Sequence, residues 1–323
     1  MKKFILYWSI MLVFGMVGAQ GHADAETPVT LKLTWFHGSQ FLGFYVAQEQ
    51  GYYADEGLEV TIEPRRKDDQ YIMELVANGQ YEFSVGGAIG PSQADGVPVI
   101  AIAAIYQFGP DTLFAKADSG IVTPADLAGR RIINKSPGWQ RMLEALLQRE
   151  NLTMDDITPV EGGWDMTPFF TGDVEVWAGF LNDEVIRARQ QGLELVTLPL
   201  YEYGITTVAQ TVATSRALLE STPDLAVRFL RGSLRGWQWA IEHPTQAVDI
   251  MLRRFPEMEA EREFHLAAFD ASIPLILPPG TRLGSIDCEA WRQHHVLADV
   301  ESAEELCTTK ILEAVWESLQ EGQ

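Results

Sequence analysis

The sequence predicts an α/β protein of two lobes, with a ligand cleft between them and a helical C-terminal tail. Three observations predict it. Short apolar strands alternate with amphipathic helices, the pattern of parallel sheets joined by crossover helices. That rhythm runs through twice, once up to residue 106 and again from 117 to 205. Beyond residue 215 the chain is mostly helical and too poor in strands for a third lobe. With 323 residues, 46% of them hydrophobic and 21% charged, there is enough material for two separate cores.

The elements follow in order. Leu31, Leu33 and Trp35 alternate with Lys32 and Thr34, which predicts a strand. Residues 43–53 read as a helix stopped at Gly51, and 58–62 (LEVTI) as the next strand. A helix over 68–78 ends at Gly79, and 83–86 forms a third strand. The unbroken apolar run VPVIAIAAIY over 97–106 predicts a central, parallel strand. The second lobe opens with a short helix at 123–127 and a strand at 131–133. A helix at 139–150 carries Met142, Leu143, Leu146 and Leu147 on one face. Strands at 157–160 and 174–177, a helix at 182–191 and a strand at 193–198 complete it. Residues 208–215 (VAQTVATS) form a strand, and helices follow at 222–242, 244–255, 259–271 and 288–320. The economical arrangement returns 208–215 to the first sheet, so that the tail covers it. The lobes are then 26–116 with 208–323, and 117–207. Two crossings join them, near 115–120 and 204–208, and strand ends point into the cleft between.

Residues 1–25 stand apart. Lys2 and Lys3 precede an apolar run from Phe4 to Val17, and Ala23-Asp24-Ala25 precedes Glu26. This is the layout of a cleaved secretory signal peptide, and the run is short for a membrane span. It places the mature protein in the periplasm. No cysteine near the cleavage point offers a lipid anchor. In an oxidising compartment Cys288 and Cys307 can pair; two free thiols are the other reading. The formal charge of −21 argues against nucleic acid or an anionic membrane as partner.

Nothing supports nucleophilic catalysis: there is no G-x-S-x-G, and the six histidines are scattered. Adjacent His294 and His295 point in different directions on a helix, so no metal site is assigned. The turn GGAIG after the third strand lacks dinucleotide spacing; it reads as a close-approach turn whose N–H groups face a ligand. Aromatic residues gather at strand ends and loops: Trp35, Phe36, Tyr106, Phe108, Trp139, Trp164, Phe180, Tyr201 and Tyr203. Singly, each is as readily core or hinge packing; together they describe a cleft for a flat, apolar-faced ligand. Asn182 and Asp183 fit a helix N-cap with a carboxylate in the first turn, which leaves Glu184 free to face the cleft.

LKLTWFHGSQFLGFYVAQEQGYYADEGLEVTI at 31–62 resembles the opening of the thiamine-pyrimidine family of periplasmic binding proteins, the NMT1/THI5-like family. ADGVPVIAIAAIYQFGPDTLFAK, FFTGDVEVWAGFLNDEVIRARQQGLELVTL and the Tyr203-Gly204 pair follow in that family's order. The resemblance implies the two-lobed type II periplasmic binding protein fold. It also implies a monomeric solute-binding subunit of an ABC importer that closes like a hinge on a small heteroaromatic ligand and delivers it to a permease. Formylaminopyrimidine, a thiamine precursor, is the family's bacterial example. No cofactor is implied and no enzymatic activity. The cleft positions carried over are Trp35 in WFHGSQF, Gly86, Gly87 and Ala88 of the glycine-rich turn, Tyr106, Phe180, Asn182 and Glu184; Phe36, His37, Gln40, Trp139, Trp164 and Tyr203 complete the candidate ligand-binding set. A fungal branch is a pyrimidine synthase that uses pyridoxal phosphate, a lysine and a histidine in the turn after the third strand, and a cysteine-rich motif. Here GGAIGPSQADG has neither residue, and the cysteine motif is missing. After Tyr203-Gly204 the family is acidic and aromatic, whereas Ile205 to Gln210 are small and neutral, which puts the pyrimidine itself in question. A periplasmic sensor handing its loaded form to a signalling protein is the other non-enzymatic reading.

Overall fold

The computed structural model describes residues 25–321 except 88, 207, 208 and 294–301. Residues 1–24 of the expected leader, the His294-His295 pair and Ala88 of the glycine-rich turn therefore lie outside the described residues.

The first lobe begins with β1 (Thr27–Leu33), α1 (Leu42–Glu49), β2 (Leu58–Glu63), α2 (Ile72–Ala77), β3 (Phe83–Gly86), α3 (Ile89–Ala94) and β4 (Val99–Ala104). The second contains β5 (Asp111–Lys116), β6 (Arg131–Asn134), α4 (Pro137–Arg149), β7 (Thr158–Glu161), α5 (Thr167–Thr171), β8 (Val176–Phe180), α6 (Glu184–Gln190) and β9 (Leu195–Pro199). The chain then returns through β10 (Thr211–Ser215) to α7 (Arg216–Ser221), α8 (Pro223–Glu242), α9 (Pro244–Arg254), α10 (Arg262–Ile276), α11 (Cys288–Arg292) and α12 (Lys310–Glu321).

Two five-stranded sheets result, ordered β2-β1-β3-β10-β4 and β7-β6-β8-β5-β9. In the first, β1 runs parallel to β2 and β3, with Leu31 opposite Ile62 and Phe83. As expected, the strand after the second lobe re-enters this sheet. It runs antiparallel to both neighbours, Val212 lying opposite Val85 on β3 and Ala103 on β4. Each sheet has its own apolar core. Leu31, Phe44, Phe83 and Trp237 belong to the first; Phe114, Ile132, Leu146 and Trp177 belong to the second.

Two expectations change. The apolar run at 97–106 is neither central nor parallel: β4 is the last strand of its sheet and pairs antiparallel with β10. It is nonetheless buried along its whole length. The tail covers its free edge, where the Ala101 N–H donates to Leu306 O at 3.0 Å and the Thr308 N–H to Ala101 O at 3.0 Å. An unbroken apolar run reports burial on all sides, and here a covered edge supplies it. Residues 111–116 belong to the second sheet as β5, between β8 and β9. The first crossing is therefore at 105–110 rather than 115–120, ahead of the strand DTLFAK.

The tail helices seal the first sheet. α8 crosses α1 so closely that a Cβ on Gly236 would lie 2.2 Å from Gly43 O and 2.6 Å from the Ala47 Cβ. On the other side, a Cβ on Gly43 would meet the Trp237 ring at 2.2 Å. Only glycine fits at either position, and Trp237 is fully buried as a result. A Cys288–Cys307 disulfide, with Cα atoms 5.5 Å apart, ties α11 to the segment that covers β4.

Closing a loop of this size stabilises a fold by about 3 kcal/mol. The Cys307→Ser variant should melt several degrees below the wild type without reductant, and thiol titration of the denatured, unreduced wild type should find no free cysteine. The gap should narrow when reductant is added.

Candidate ligand site

The carboxyl ends of the parallel strands place the site. Trp35 follows β1, Gly86 ends β3 and Tyr106 follows β4; on the second lobe Lys135 follows β6, and Phe180 ends β8. Such strand ends face the crevice of an α/β sheet.

On the first lobe Trp35 and Phe36 are 51% and 46% exposed and meet edge to face, with centroids 5.5 Å apart. The segment 64–69, after β2, backs them. Its Arg65 N–H donates to Trp35 O at 3.0 Å, and its guanidinium lies 5.8 Å from the Trp35 ring centroid. This segment is anchored from below by Lys32, a fully buried lysine in β1. Lys32 Nζ binds Asp69 at 2.7 Å, donates to Pro64 O at 2.9 Å and lies 3.8 Å from Glu63. Gly86 has φ 147, and a Cβ there would come within 1.6 Å of Thr34 Oγ1, so the turn packs directly on the end of β1. Gly87 is exposed beside it. Gln40 is half-buried in the short 3-10 turn Ser39–Phe41.

The second lobe presents a set of rings around one ammonium group. Trp164 is 59% exposed and stacks on Phe180 at 6.2 Å; Trp139 packs against the same ring at 5.7 Å. Beneath them Lys135 Nζ lies 4.2 Å from the Trp164 ring, 4.9 Å from Trp177 and 5.8 Å from Trp139. The Lys135 side chain is fully buried and binds Glu184 Oε1 at 2.8 Å. Burial holds the Lys135 pKa below its ordinary value, and the Glu184 carboxylate opposes that shift. The sequence places Lys135 in NKSPGW, where Ser136 caps α4 by accepting the Trp139 N–H. A lysine between a strand end and a Ser-Pro helix start was the signal available for it.

Glu184 is not free to receive ring amines, contrary to expectation. Its other oxygen accepts the Phe180 N–H at 2.9 Å, so both oxygens are engaged, and the residue is buried. Asp183 occupies the N-cap of α6 without a side-chain capping bond and pairs instead with Arg187 at 2.7 Å. Asn182 reaches across to the other lobe. Its amide donates to Ser272 Oγ in α10 at 2.9 Å and to the Tyr106 hydroxyl at 3.3 Å. Burial pushes Tyr106 up to about 12, against the bonds from Ser272 and Asn182 that lower it, so it stays a neutral hydroxyl. Nearby, Arg187 binds Glu261 at 3.1 Å and covers the Phe264 ring, while Ile186 packs with Phe264 and Ala268. Phe108 and Tyr201, from the two crossings, stack at 5.0 Å.

His37 and Tyr203 sit elsewhere. His37 stacks on Phe255 at 4.0 Å and shares a 2.9 Å hydrogen bond with the buried Tyr45 hydroxyl, so its ring belongs to the packing under α9. Tyr203 is half-buried against the second core, in the turn after β9.

A family model described as NMT1/THI5 like matches residues 38–247. The chain is 29% identical to the riboflavin-binding protein RibY of Chloroflexus aurantiacus over 72% of this chain and 67% of that one. It is 21% identical to the formylaminopyrimidine-binding protein of Halalkalibacterium halodurans over 91% and 92%. It is also 25% identical to a 4-amino-5-hydroxymethyl-2-methylpyrimidine phosphate synthase of Legionella pneumophila over 73% and 76%. Among solved structures, a putative sulfonate ABC transporter periplasmic binding protein, SsuA of Methylobacillus flagellatus, superposes with a TM-score of 0.68 at 14% identity, over 92% of this chain and 96% of that one. The fold is accordingly the two-lobed one of periplasmic binding proteins.

Two outcomes follow from this geometry. Glu184→Gln leaves a buried ammonium unpaired, which costs about 3–5 kcal/mol; its melting temperature should drop clearly, and Lys135→Met in the same chain should restore much of the loss. Burial, reinforced by Arg254, lowers His37 to about 4, below the unfolded value of about 6.5. Its contribution is therefore fully present above about pH 6.5 and is lost as pH falls toward 4. The melting temperature of His37→Gln should depend less on pH across that window than that of the wild type.

Proposed function

We propose, on the premise that the chain belongs to the NMT1/THI5-like family, that it is the solute-binding subunit of an ABC importer. It works in the periplasm and captures a flat heteroaromatic molecule, such as a thiamine pyrimidine precursor or a flavin-like ring, between its lobes. The observation that carries this reading is the presence of two aromatic pairs at strand ends of opposite lobes, the exposed Trp35 with Phe36 and the exposed Trp164 on the half-buried Phe180. A ring stacked between aromatic faces gains roughly 0.5–1.5 kcal/mol per face beyond the burial of its apolar area. The bonds from Asn182 to Tyr106 and Ser272 supply what a hinge-closing receptor needs, contacts that exist when the lobes meet. Two relatives named for riboflavin and formylaminopyrimidine binding support the ligand class.

A relative named as a pyrimidine phosphate synthase favours chemistry as the second reading. That reading requires pyridoxal phosphate, whose visible absorbance in the purified protein would support it. The turn after β3 holds no lysine for such a cofactor.

Native mass spectrometry of protein purified from its own host should find a bound heteroaromatic compound. Trp35→Ala and Asn182→Ala should each weaken its binding at least roughly tenfold by calorimetry, while small-angle scattering shows the wild type compacting as ligand is added. Unchanged affinity in both variants would refute the aromatic cleft.

A further inference from the structure

Among the described residues of an acidic protein, Arg65 is a cation without a counter-ion. The sequence has 45 Asp and Glu against 24 Lys and Arg, and its neighbour Arg66 is ion-paired. Among the described residues the Arg65 guanidinium touches the Trp35 ring and has no hydrogen bond or ion pair. Of the three carboxylates nearest in sequence, Glu63 and Asp69 are committed elsewhere, and the exposed Asp68 makes no ion pair with Arg65 among the described residues. Asp69 takes Lys32 Nζ at 2.7 Å and the Arg66 N–H at 2.7 Å. Glu63 takes the Arg66 guanidinium at 3.1 Å and stands 3.8 Å from Lys32.

The backbone beneath Arg65 is held firmly. Its own N–H is bonded to Trp35 O, and the buried Lys32 ties both ends of the segment, at Pro64 O and at Asp69. The fold thus builds a rigid mount for a guanidinium over the Trp35 ring and engages two of the three nearest acids elsewhere. A guanidinium is a planar fork of donors that matches an oxyanion in two parallel bonds. A base or a hydroxyl would not need it.

We infer that Arg65 is an oxyanion subsite, so that the ligand stacked on Trp35 carries a carboxylate or phosphate group beside its ring. This rests on the aromatic cleft proposed above and adds a chemical class to it. Lys32, Glu63 and Asp69 act as positioning residues: the lysine draws the acids down into the lobe and leaves Arg65 to the ligand.

The test compares rings that differ in the anionic group. Riboflavin, riboflavin 5′-phosphate and 10-carboxymethylflavin form one set; 4-amino-5-hydroxymethyl-2-methylpyrimidine and its phosphate form the other. Calorimetry with the wild-type protein should show an anionic member binding at least about tenfold tighter than its neutral parent, with the preference shrinking in high salt. Arg65→Gln should abolish that preference, the anionic member losing at least about tenfold more affinity than its neutral parent; Arg65→Lys should restore only part of it, since an ammonium lacks the fork. Equal binding of neutral and anionic members by the wild type overturns the inference while the aromatic cleft stands. Equal losses for both members in Arg65→Gln also overturn it, since Arg65 then merely supports Trp35. If neither ring binds in any form, the aromatic cleft fails and the inference with it.

Discussion

The return of the chain into the first sheet is the constraint on which the rest depends. β10 forms ladders on both its edges, to β3 and to β4, and its five residues are all buried. Because the strand that follows the second lobe is locked inside the first, the second lobe is a loop with both ends fixed. It meets the first lobe at two crossings, and these brace each other through the Phe108–Tyr201 stack. A pair of short connections at one edge permits a hinge motion and little else. Both sets of strand ends consequently face the same crevice.

Each wall of that crevice is stiffened by one buried lysine. Lys32 gathers Glu63, Pro64 and Asp69 under the Trp35 wall. Lys135 sits behind Trp139, Trp164 and Phe180, with Glu184 as its counter-ion. Removing an ammonium from water costs several kcal/mol, which is offset only by close pairing and further hydrogen bonds. Both lysines have a carboxylate within 2.8 Å, and each pair draws on a different element. The buried charges thereby set the position of the segment that presents the aromatic side chains.

α10 is the element shared by both lobes. Ser272 receives Asn182, while Phe264 and Ala268 meet Ile186 of α6. On the first lobe's side, Phe269 and Leu275 enter the large core. The helical tail therefore does more than cover the first sheet; it supplies the surface against which the second lobe rests.

The sequence by itself determined the two-lobed α/β class, the alternation of strands and helices within each lobe, the return of the strand near residue 211, and the concentration of aromatic residues at strand ends. These are local properties: a period of two or of 3.6 residues, a cap or a glycine stop is written within a dozen positions. Tertiary structure alone decided which strand lies at an edge, since VPVIAIAAIY records burial but not whether a strand or a tail segment supplies it. It alone gave Glu184 a partner 49 residues away and Asn182 one 90 residues away, and turned His37 toward Phe255 rather than the cleft. Partners so distant along the chain meet only after the sheet order is settled. A charged or amide side chain then bonds to whatever the fold brings within 3 Å, and no local pattern encodes that choice.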